Sequence, residues 1–276
     1  MINIDGSYGE GGGAIIRNAI TLSAVTGKSC KINNIRANRS VPGLRPQHLK
    51  GVEAMAKLCN AKVTGLTVGS TKIEFIPKKI ESRTLIIDIG TAGSITLVLQ
   101  TLIPACLHAD SPIELEITGG TDVKWAPTMA YFETVFCGNL KNMGIIIKSS
   151  ILCNGFYPKG GGKVRVKIHP CKEIKQIDWS ERGNIQRIDC WSFASDSLKN
   201  KDVAERQMKG FKKIFDVNNK DVKYVSTLSI GTSITAHAHC NTILGACVLG
   251  DIKKKAEHVG HECAKLLKKQ IGTKAA

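Results

Sequence analysis

The feature of this chain that most restricts its fold is a series of secondary-structure elements that occurs twice. In each copy a strand leads through a glycine-rich turn into a helix, and a strand, a second helix and two strands follow. The glycine-rich turns lie at residues 9–13 and 90–94, and the second helix of each copy starts at a proline, Pro46 or Pro127. These matched features favour duplication over chance similarity between two α/β segments.

The two copies predict repeated β-α-β-α-β-β units at residues 1–77 and 78–170. Apolar residues recur with the spacing of strands and of amphipathic helices. In the first unit, strands are predicted at 2–5, 30–36, 62–68 and 72–76, with helices at 14–25 and from Pro46. In the second, strands are predicted at 85–89, 113–118, 145–151 and 163–168, with helices at 94–107 and from Pro127. Because helices must cover the apolar face of a sheet, the fold class is α/β (α+β).

The pattern changes after Pro170, which predicts a second and smaller α/β domain. We place the repeat domain at 1–180 and the smaller domain at 181–276. The predicted strands lie at 185–193, within 222–238 and at 242–248, with helices at 203–215 and 252–269.

Charge and cysteine content limit the class of partner and the compartment. The chain has 39 Lys and Arg against 23 Asp and Glu, a formal charge of +16, which favours a polyanionic partner such as nucleic acid or an anionic membrane surface. No apolar run approaches the ~20 residues of a membrane span, so insertion is not expected. Ten cysteines occur without a CxxC pair, which indicates reduced thiols in an intracellular protein.

The first glycine-rich turn is a candidate anion site. Glycines at 9 and 11–13 let the backbone approach a ligand, and the helix that follows adds partial positive charge at its N-terminus. Arg17, one helical turn later, offers a bidentate phosphate contact. Glu10 opposes phosphate unless a divalent cation bridges them, or it is a turn acid facing solvent. The turn is not a Walker A loop, because no Gly-Lys-Ser/Thr follows.

A second candidate lies where a strand ends and the helix from Pro46 begins. Arg36, Arg39 and Arg45 cluster there, in the type of crevice where α/β sheets bind ligands. From spacing alone, a ligand site and a solvated basic loop are equally favoured.

These two motifs together resemble the RNA 3′-terminal phosphate cyclase family. The resemblance covers essentially the whole chain in the right order. Its segments are Gly9-Glu10-Gly11-Gly12-Gly13-x-x-x-Arg17, Ile35-Arg36-Ala37-x-Arg39-x-x-Pro42-Gly43-Leu44-x-x-Gln47-His48-Leu49, Thr91-Ala92-Gly93-Ser94, Gly119-Gly120-Thr121-Asp122 with Ala126-Pro127, Gly155-Phe156-Tyr157-Pro158-Lys159-Gly160-Gly161-Gly162 and Glu181-Arg182-Gly183.

The resemblance implies an activity and a fold. Members of the family use ATP and a divalent metal, Mg²⁺ or Mn²⁺, to convert an RNA 3′-phosphate into a 2′,3′-cyclic phosphate. A histidine is adenylylated, AMP passes to the RNA 3′-phosphate, and the neighbouring 2′-OH displaces it. The family fold consists of β-α-β-α-β-β repeats resembling enolpyruvyl transferases, with a smaller inserted α/β domain. Enolpyruvyl transfer itself is a less favoured function, because that class does not share these loops.

The resemblance also implies roles for individual residues. The RNA phosphates are expected at Arg17, Arg36, Arg39 and Gln47. ATP is expected at Glu10, Gly11, Gly12, Gly13 and Pro127, with Pro127 against the adenine and Glu10 also facing the metal.

No catalytic histidine is assigned from the sequence. In the family the adenylylated histidine lies in a third repeat, and the 276 residues end about where that repeat is expected to begin, so we expect that they do not adenylylate themselves. His48 is near the predicted site, but a structural role at the helix start is favoured. His237 and His239 are predicted at alternate positions on one face of a strand, where a solvated face is favoured and a metal pair is the alternative. His258 and His261 are predicted on a helix surface.

Three interpretations of function therefore remain: a cyclase, a non-catalytic RNA-binding relative of the kind found in ribosome biogenesis, or an inactive fragment. The intact glycine and arginine motifs favour enzyme ancestry. The expected location is the nucleus in a eukaryote and the cytoplasm otherwise, and the oligomeric state is left open.

Overall fold

The computed structural model describes residues 1–273 as three four-stranded sheets with helices. The strands are β1 (Ile2–Asp5), β2 (Cys30–Asn33), β3 (Lys62–Thr64), β4 (Ile73–Ile76), β5 (Leu85–Asp88), β6 (Ile113–Gly119), β7 (Ile147–Cys153), β8 (Gly162–Ile168), β9 (Arg187–Ser195), β10 (Asn219–Val225), β11 (Thr232–His239) and β12 (Ile243–Leu249). The helices are α1 (Gly13–Thr26), α2 (Pro46–Leu58), α3 (Ile95–Cys106), α4 (Met129–Tyr131), α5 (Cys137–Asn142), α6 (Val203–Phe211) and α7 (Ala256–Ile271). A π-helical turn (Phe132–Phe136) joins α4 to α5, and a 3₁₀ helix (Asp196–Lys201) precedes α6.

The first two sheets share one topology. The strand orders are β1-β2-β4-β3 and β5-β6-β8-β7. In each, the first pair is parallel and the two remaining pairs are antiparallel. The parallel pair requires a crossover helix, which α1 and α3 provide in the two units. The mixed α/β class and the repeated β-α-β-α-β-β order predicted from the sequence are thus found in the structure.

Several predicted element ends differ from the observed ones for local reasons. Strand β2 stops at Asn33 because Asn34 and Arg36 have φ of 53° and 54°, which ends extended backbone. Strand β3 stops before Gly65, whose φ is 76°. The helix expected from Pro127 begins at Met129, because Thr128 is the N-cap and accepts a hydrogen bond from the Tyr131 N–H.

The core of the two repeats is continuous. Helices α1, α2 and α3 pack against one another, and their buried faces contribute Ile20, Met55 and Leu99 to one apolar cluster. The same cluster includes strand residues of both sheets, such as Phe75 and Val166. This packing holds the N-terminal ends of the three helices in fixed relation to one another.

The third sheet has a core of its own and docks on the second unit. Its order is β10-β9-β11-β12, and helices α6 and α7 cover one face. The other face meets the α4–α5 segment, where Thr128 and Thr235 hydroxyls lie 2.9 Å apart and Asn139 Nδ2 donates to the Ile243 carbonyl at 2.9 Å.

The histidines of β11 correct one prediction. A solvated strand face was expected for His237 and His239, but the side chain of His237 is 2% exposed and that of His239 is 21% exposed. The Trp191 ring, 4.5 Å from the His237 ring, contributes to this burial. The face is therefore not solvated.

The state of the cysteines and the character of the helices are two further features of the structure. All ten cysteines are free in the structure, and five of them are buried. Within residues 1–273, the structure shows no helix with the length and apolar character that crossing a membrane requires.

Candidate anion-binding site

The candidate site lies where the N-termini of α1, α2 and α3 meet. The ring of His48, in the first turn of α2, lies directly against Gly13, the first residue of α1. Gln47, its neighbour, accepts through Oε1 a hydrogen bond of 2.9 Å from the Ser94 N–H at the start of α3. Three helix N-termini in contact bring unpaired N–H groups and partial positive charge together, which favours an anion.

Arg17 adds a full positive charge on the α1 side of this junction. Its side chain is half-buried, and this burial lowers the pKa of the guanidinium from its ordinary value. Within residues 1–273, no hydrogen bond or ion pair engages that guanidinium. Because a partly buried cation without an anionic partner carries a desolvation cost, Arg17 is prepared to accept an anion from outside the protein.

Arg36 is tied to its own loop. Its Nη1 donates to the carbonyls of Val41 and Gly43 at 2.7 and 2.9 Å. Burial, and then the charge of Arg45, lower the pKa of Arg36. Arg36 therefore shapes the loop that leads into α2 and also contributes positive charge to the site.

Arg39 and Glu10 form an ion pair across the glycine-rich turn. The guanidinium of Arg39 lies over Gly12, where an added Cβ would be 2.9 Å from Nη2. Asn38 holds the same turn by donating from Nδ2 to the Ser7 carbonyl at 3.0 Å. The pairing explains how an acid is tolerated in an anion site, which sequence spacing alone did not reveal. A ligand phosphate and Glu10 would compete for the same guanidinium.

His48 is a buried neutral ring at the centre of the basic cluster. Its Nδ1 accepts a hydrogen bond of 3.2 Å from the Arg45 N–H, which assigns the proton of the neutral ring to Nε2, on the side of Gly13. Burial, followed by the charges of Arg36, Arg17 and Arg45, lowers the pKa of His48 to about 4. The bond to Arg45 supports the structural role predicted for His48 at the helix start.

The lowered pKa of His48 gives a prediction for pH dependence. The folded-state pKa of about 4 lies below the ordinary value of 6.5, so the unfolded chain binds the proton more readily. The stability that the neutral ring contributes is therefore present above pH 6.5 and is lost as the pH falls towards 4. We expect ring NMR signals of His48, assigned with a His48→Gln variant, to show no protonation down to about pH 5. Titration near pH 6.5 would contradict this burial.

The second unit supplies Pro127, the remaining predicted residue, and Ser94, to which the sequence analysis gave no role in the site. Pro127 is half-buried, and its carbonyl accepts a hydrogen bond of 3.0 Å from the hydroxyl of Thr96, in the first turn of α3. Ser94, which caps α3 by accepting from the Leu97 N–H, is the residue through which Gln47 joins the two units. The Thr-Ala-Gly-Ser motif was a signal for this turn, but not for its contact with α2.

Few protein ligands for a divalent metal surround Glu10 in the described part of the chain. Glu10 is an exposed carboxylate paired with Arg39, and among residues 1–273 no group of three His, Cys, Asp or Glu ligands surrounds it. Mg²⁺ is commonly held by one or two carboxylates together with substrate phosphates. Glu10 therefore fits a metal that arrives with a polyphosphate, and does not form a metal site from protein ligands alone.

Comparisons with known proteins agree on one family. The family model of RNA 3′-terminal phosphate cyclase matches residues 8–270. The chain is 46% identical to an RNA 3′-terminal phosphate cyclase of Pyrococcus furiosus over 100% of the chain and 81% of that protein. It is 44% identical to that of Pyrococcus abyssi (98% and 80%) and 41% identical to that of Archaeoglobus fulgidus (100% and 83%).

Proposed function

This chain belongs to the RNA 3′-terminal phosphate cyclase family, and on that premise we propose that it is an enzyme that converts an RNA 3′-phosphate into a 2′,3′-cyclic phosphate at the expense of ATP. The observation that supports this proposal best is the Arg17 guanidinium, which has no partner among residues 1–273 and lies at the junction of three helix N-termini. Such a junction favours a dianionic terminal phosphate, since phosphoryl transfer depends on positioning and charge neutralisation.

The roles proposed for the RNA-binding residues differ in kind. Arg17 would contact the terminal phosphate directly. Arg39 would do so in exchange with Glu10, its present partner. Arg36 already uses Nη1 to hold its loop, and Gln47 already uses Oε1 to hold the turn before α3. Each would offer its remaining donors to the RNA.

ATP and a divalent metal are proposed as the further requirements. The backbone of Gly11, Gly12 and Gly13, with Glu10 beside it, would hold the nucleotide phosphates, and Pro127 would lie against the adenine. A bound metal would neutralise phosphate charge, which is the chemistry that Mg²⁺ or Mn²⁺ supplies in phosphoryl transfer. Arg39 keeps Glu10 oriented towards the turn until these groups bind.

The 276 residues alone are not expected to adenylylate themselves, so the test is conversion of a 3′-terminally labelled RNA phosphate, with ATP and Mg²⁺ or Mn²⁺, by these residues joined to the histidine-bearing third repeat of a family member, with the 276 residues alone in parallel. Cyclisation makes the label resistant to phosphatase. The Arg17→Ala variant should lose this activity, whereas Arg165→Ala, which removes an exposed arginine on β8, should retain it. Binding of 3′-phosphorylated RNA without ATP-dependent cyclisation would instead favour the non-catalytic RNA-binding alternative.

The source of the relatives bears on the compartment. They are archaeal, so the nucleus, one of the two compartments considered from the sequence, has no support. We propose the cytoplasm as the compartment of action.

The proposed partner predicts a salt dependence. With a formal charge of +16 and phosphates as ligands, RNA affinity should fall as salt rises, with a log–log slope of roughly −0.7 for each phosphate neutralised. Fluorescence anisotropy of a short single-stranded RNA over a salt series measures the slope. In Arg17→Ala the slope should become shallower by about 0.7. A flat response in the wild type would mean that the basic residues do not contact the RNA.

A further inference from the structure

A cluster of two histidines and one aspartate on the third sheet has no role in the proposed reaction. His237 and His239 lie two residues apart on β11 and therefore on one face. Asp189 on the neighbouring strand β9 pairs in register with His237. One ligand atom from each residue can be chosen so that all three atoms lie within 4.8 Å of one another.

Two distances in the cluster, both from Asp189, match the separation of ligand atoms around a tetrahedral metal. Asp189 Oδ2 is 3.5 Å from Nε2 of His237 and 3.3 Å from Nε2 of His239. With metal–ligand bonds of about 2.0–2.2 Å, the ligand atoms of tetrahedral Zn²⁺ are separated by about 3.3–3.5 Å. Strand pairing alone does not require these separations, because side chains on one face can rotate apart.

The surroundings of the cluster show features of a ligand site. Asp189 is held by the backbone N–H and the Nδ2 of Asn219, which donate to Oδ1 at 3.2 and 2.9 Å and leave Oδ2 facing the histidines. Such supporting hydrogen bonds orient metal ligands. The His237 side chain is 2% exposed, and among residues 1–273 its Nδ1 finds no hydrogen-bond partner. The other ring nitrogen, Nε2, faces Asp189 Oδ2 at 3.5 Å and is the atom that a metal would bind, so the unpaired Nδ1 indicates only that no group among those residues bonds this ring from its other side.

Arg187 occupies the open side of the cluster. Its Nε donates to Asp189 Oδ2 at 3.0 Å, and its Nη2 lies 3.2 Å from Nε2 of His239. The guanidinium thus sits where a metal would lie and supplies a positive charge in its place. The Arg187 side chain is 50% exposed, so it can rotate into solvent without disturbing the core.

We propose that Asp189, His237 and His239 form a binding site for a transition-metal dication of the Zn²⁺ class, for which Arg187 competes. Imidazole nitrogens with one carboxylate oxygen are ligands that Zn²⁺ accepts, and water would complete the tetrahedron. The site is independent of the phosphate site, since none of its three ligands lies at the helix junction.

The test is zinc binding by the metal-free full chain, measured by competition with a chromophoric chelator. We expect the wild type to bind one equivalent of zinc. Asn219→Ala, which removes a supporting hydrogen bond, should lower the zinc affinity roughly 10- to 100-fold. His239→Ala, which removes a ligand, should lower it further. Arg187→Ala should bind more tightly, because it removes a competing cation at an exposed position. His258→Ala, a change at an exposed histidine of α7, should match the wild type.

Arg187→Ala is expected to raise the zinc affinity, whereas misfolding caused by a change at a buried ligand could only lower it. The test therefore does not depend on the variants of the buried ligands folding correctly. X-ray absorption at the zinc edge should show nitrogen and oxygen ligands near 2.0–2.2 Å, and not the 2.3 Å of thiolate sulfur. Uptake by neither the wild type nor Arg187→Ala would overturn the proposal. So would sulfur ligation, which would place zinc on the cysteines.

Discussion

Replacing Arg17 by alanine is expected to weaken binding of 3′-phosphorylated RNA by about 1.5–3 kcal/mol, or roughly 10- to 150-fold. The guanidinium is half-buried and has no partner within residues 1–273. Binding of the RNA phosphate would therefore give it a charge-assisted hydrogen bond that it lacks in the free protein. RNA ending in a 3′-hydroxyl should bind the variant and the wild type almost equally. Anisotropy titrations with both RNA ends measure the difference.

Two further variants separate charge from geometry. Arg17→Lys keeps the charge but lacks the planar fork, so it should recover part of the affinity and not all of it. Arg165→Ala removes the same charge from the exposed face of β8 and is the matched control. The free protein should lose no stability in Arg17→Ala, because the guanidinium makes no hydrogen bond or ion pair within the described residues 1–273. Equal affinity of the wild type for 3′-phosphate and 3′-hydroxyl RNA would contradict the role given to Arg17.

The fold was predictable to the extent that it depends on local periodicity. The alternation in 113–118 and the spacing of apolar residues after Pro46 are local signals, and β6 and α2 lie where these signals placed them. The early end of β2 was not predictable, because Asn34 and Arg36 adopt positive φ in a loop held by Arg36 itself. Asparagine tolerates that conformation, but arginine gives no sequence signal for it.

The site shows the same limit more clearly. The glycine-rich turn and the nearby arginines were identifiable because glycine and arginine suit phosphate for reasons of residue chemistry. Their pairings are tertiary and were not identifiable. Neutralisation of Glu10 by Arg39 depends on how a loop 29 residues later folds back over the turn. Burial of His237 likewise depends on tertiary packing, including the Trp191 ring of β9, which hydropathy along β11 does not report.

Replacing Gly13 by alanine tests whether the contact between α1 and α2 builds the site. An added Cβ at this position would overlap Nε2 of His48. The ring cannot easily retreat, since it is 6% exposed and its Nδ1 is bonded to the Arg45 N–H. We expect a loss of roughly 1–3 kcal/mol in the free energy of unfolding, the usual cost of overpacking. Affinity for 3′-phosphorylated RNA should fall as well, because α1 carries Arg17 and α2 carries Gln47.

A control and a double variant make the interpretation specific. A Cβ added at Gly51, within α2, would lie 3.5 Å from Oγ1 of Thr101, which is an ordinary contact. Gly51→Ala should therefore be neutral or should stabilise the protein by up to about 1 kcal/mol. His48→Ala removes the atom with which alanine at 13 collides. Gly13→Ala combined with His48→Ala should therefore cost less than the sum of the two single changes, by about 0.5–3 kcal/mol. Urea unfolding of the wild type, the two single variants Gly13→Ala and His48→Ala, and their double variant measures this coupling. If the losses of unfolding free energy were strictly additive, alanine at position 13 would act on the backbone of the turn and not through the His48 ring. The junction of helix N-termini would then not depend on His48.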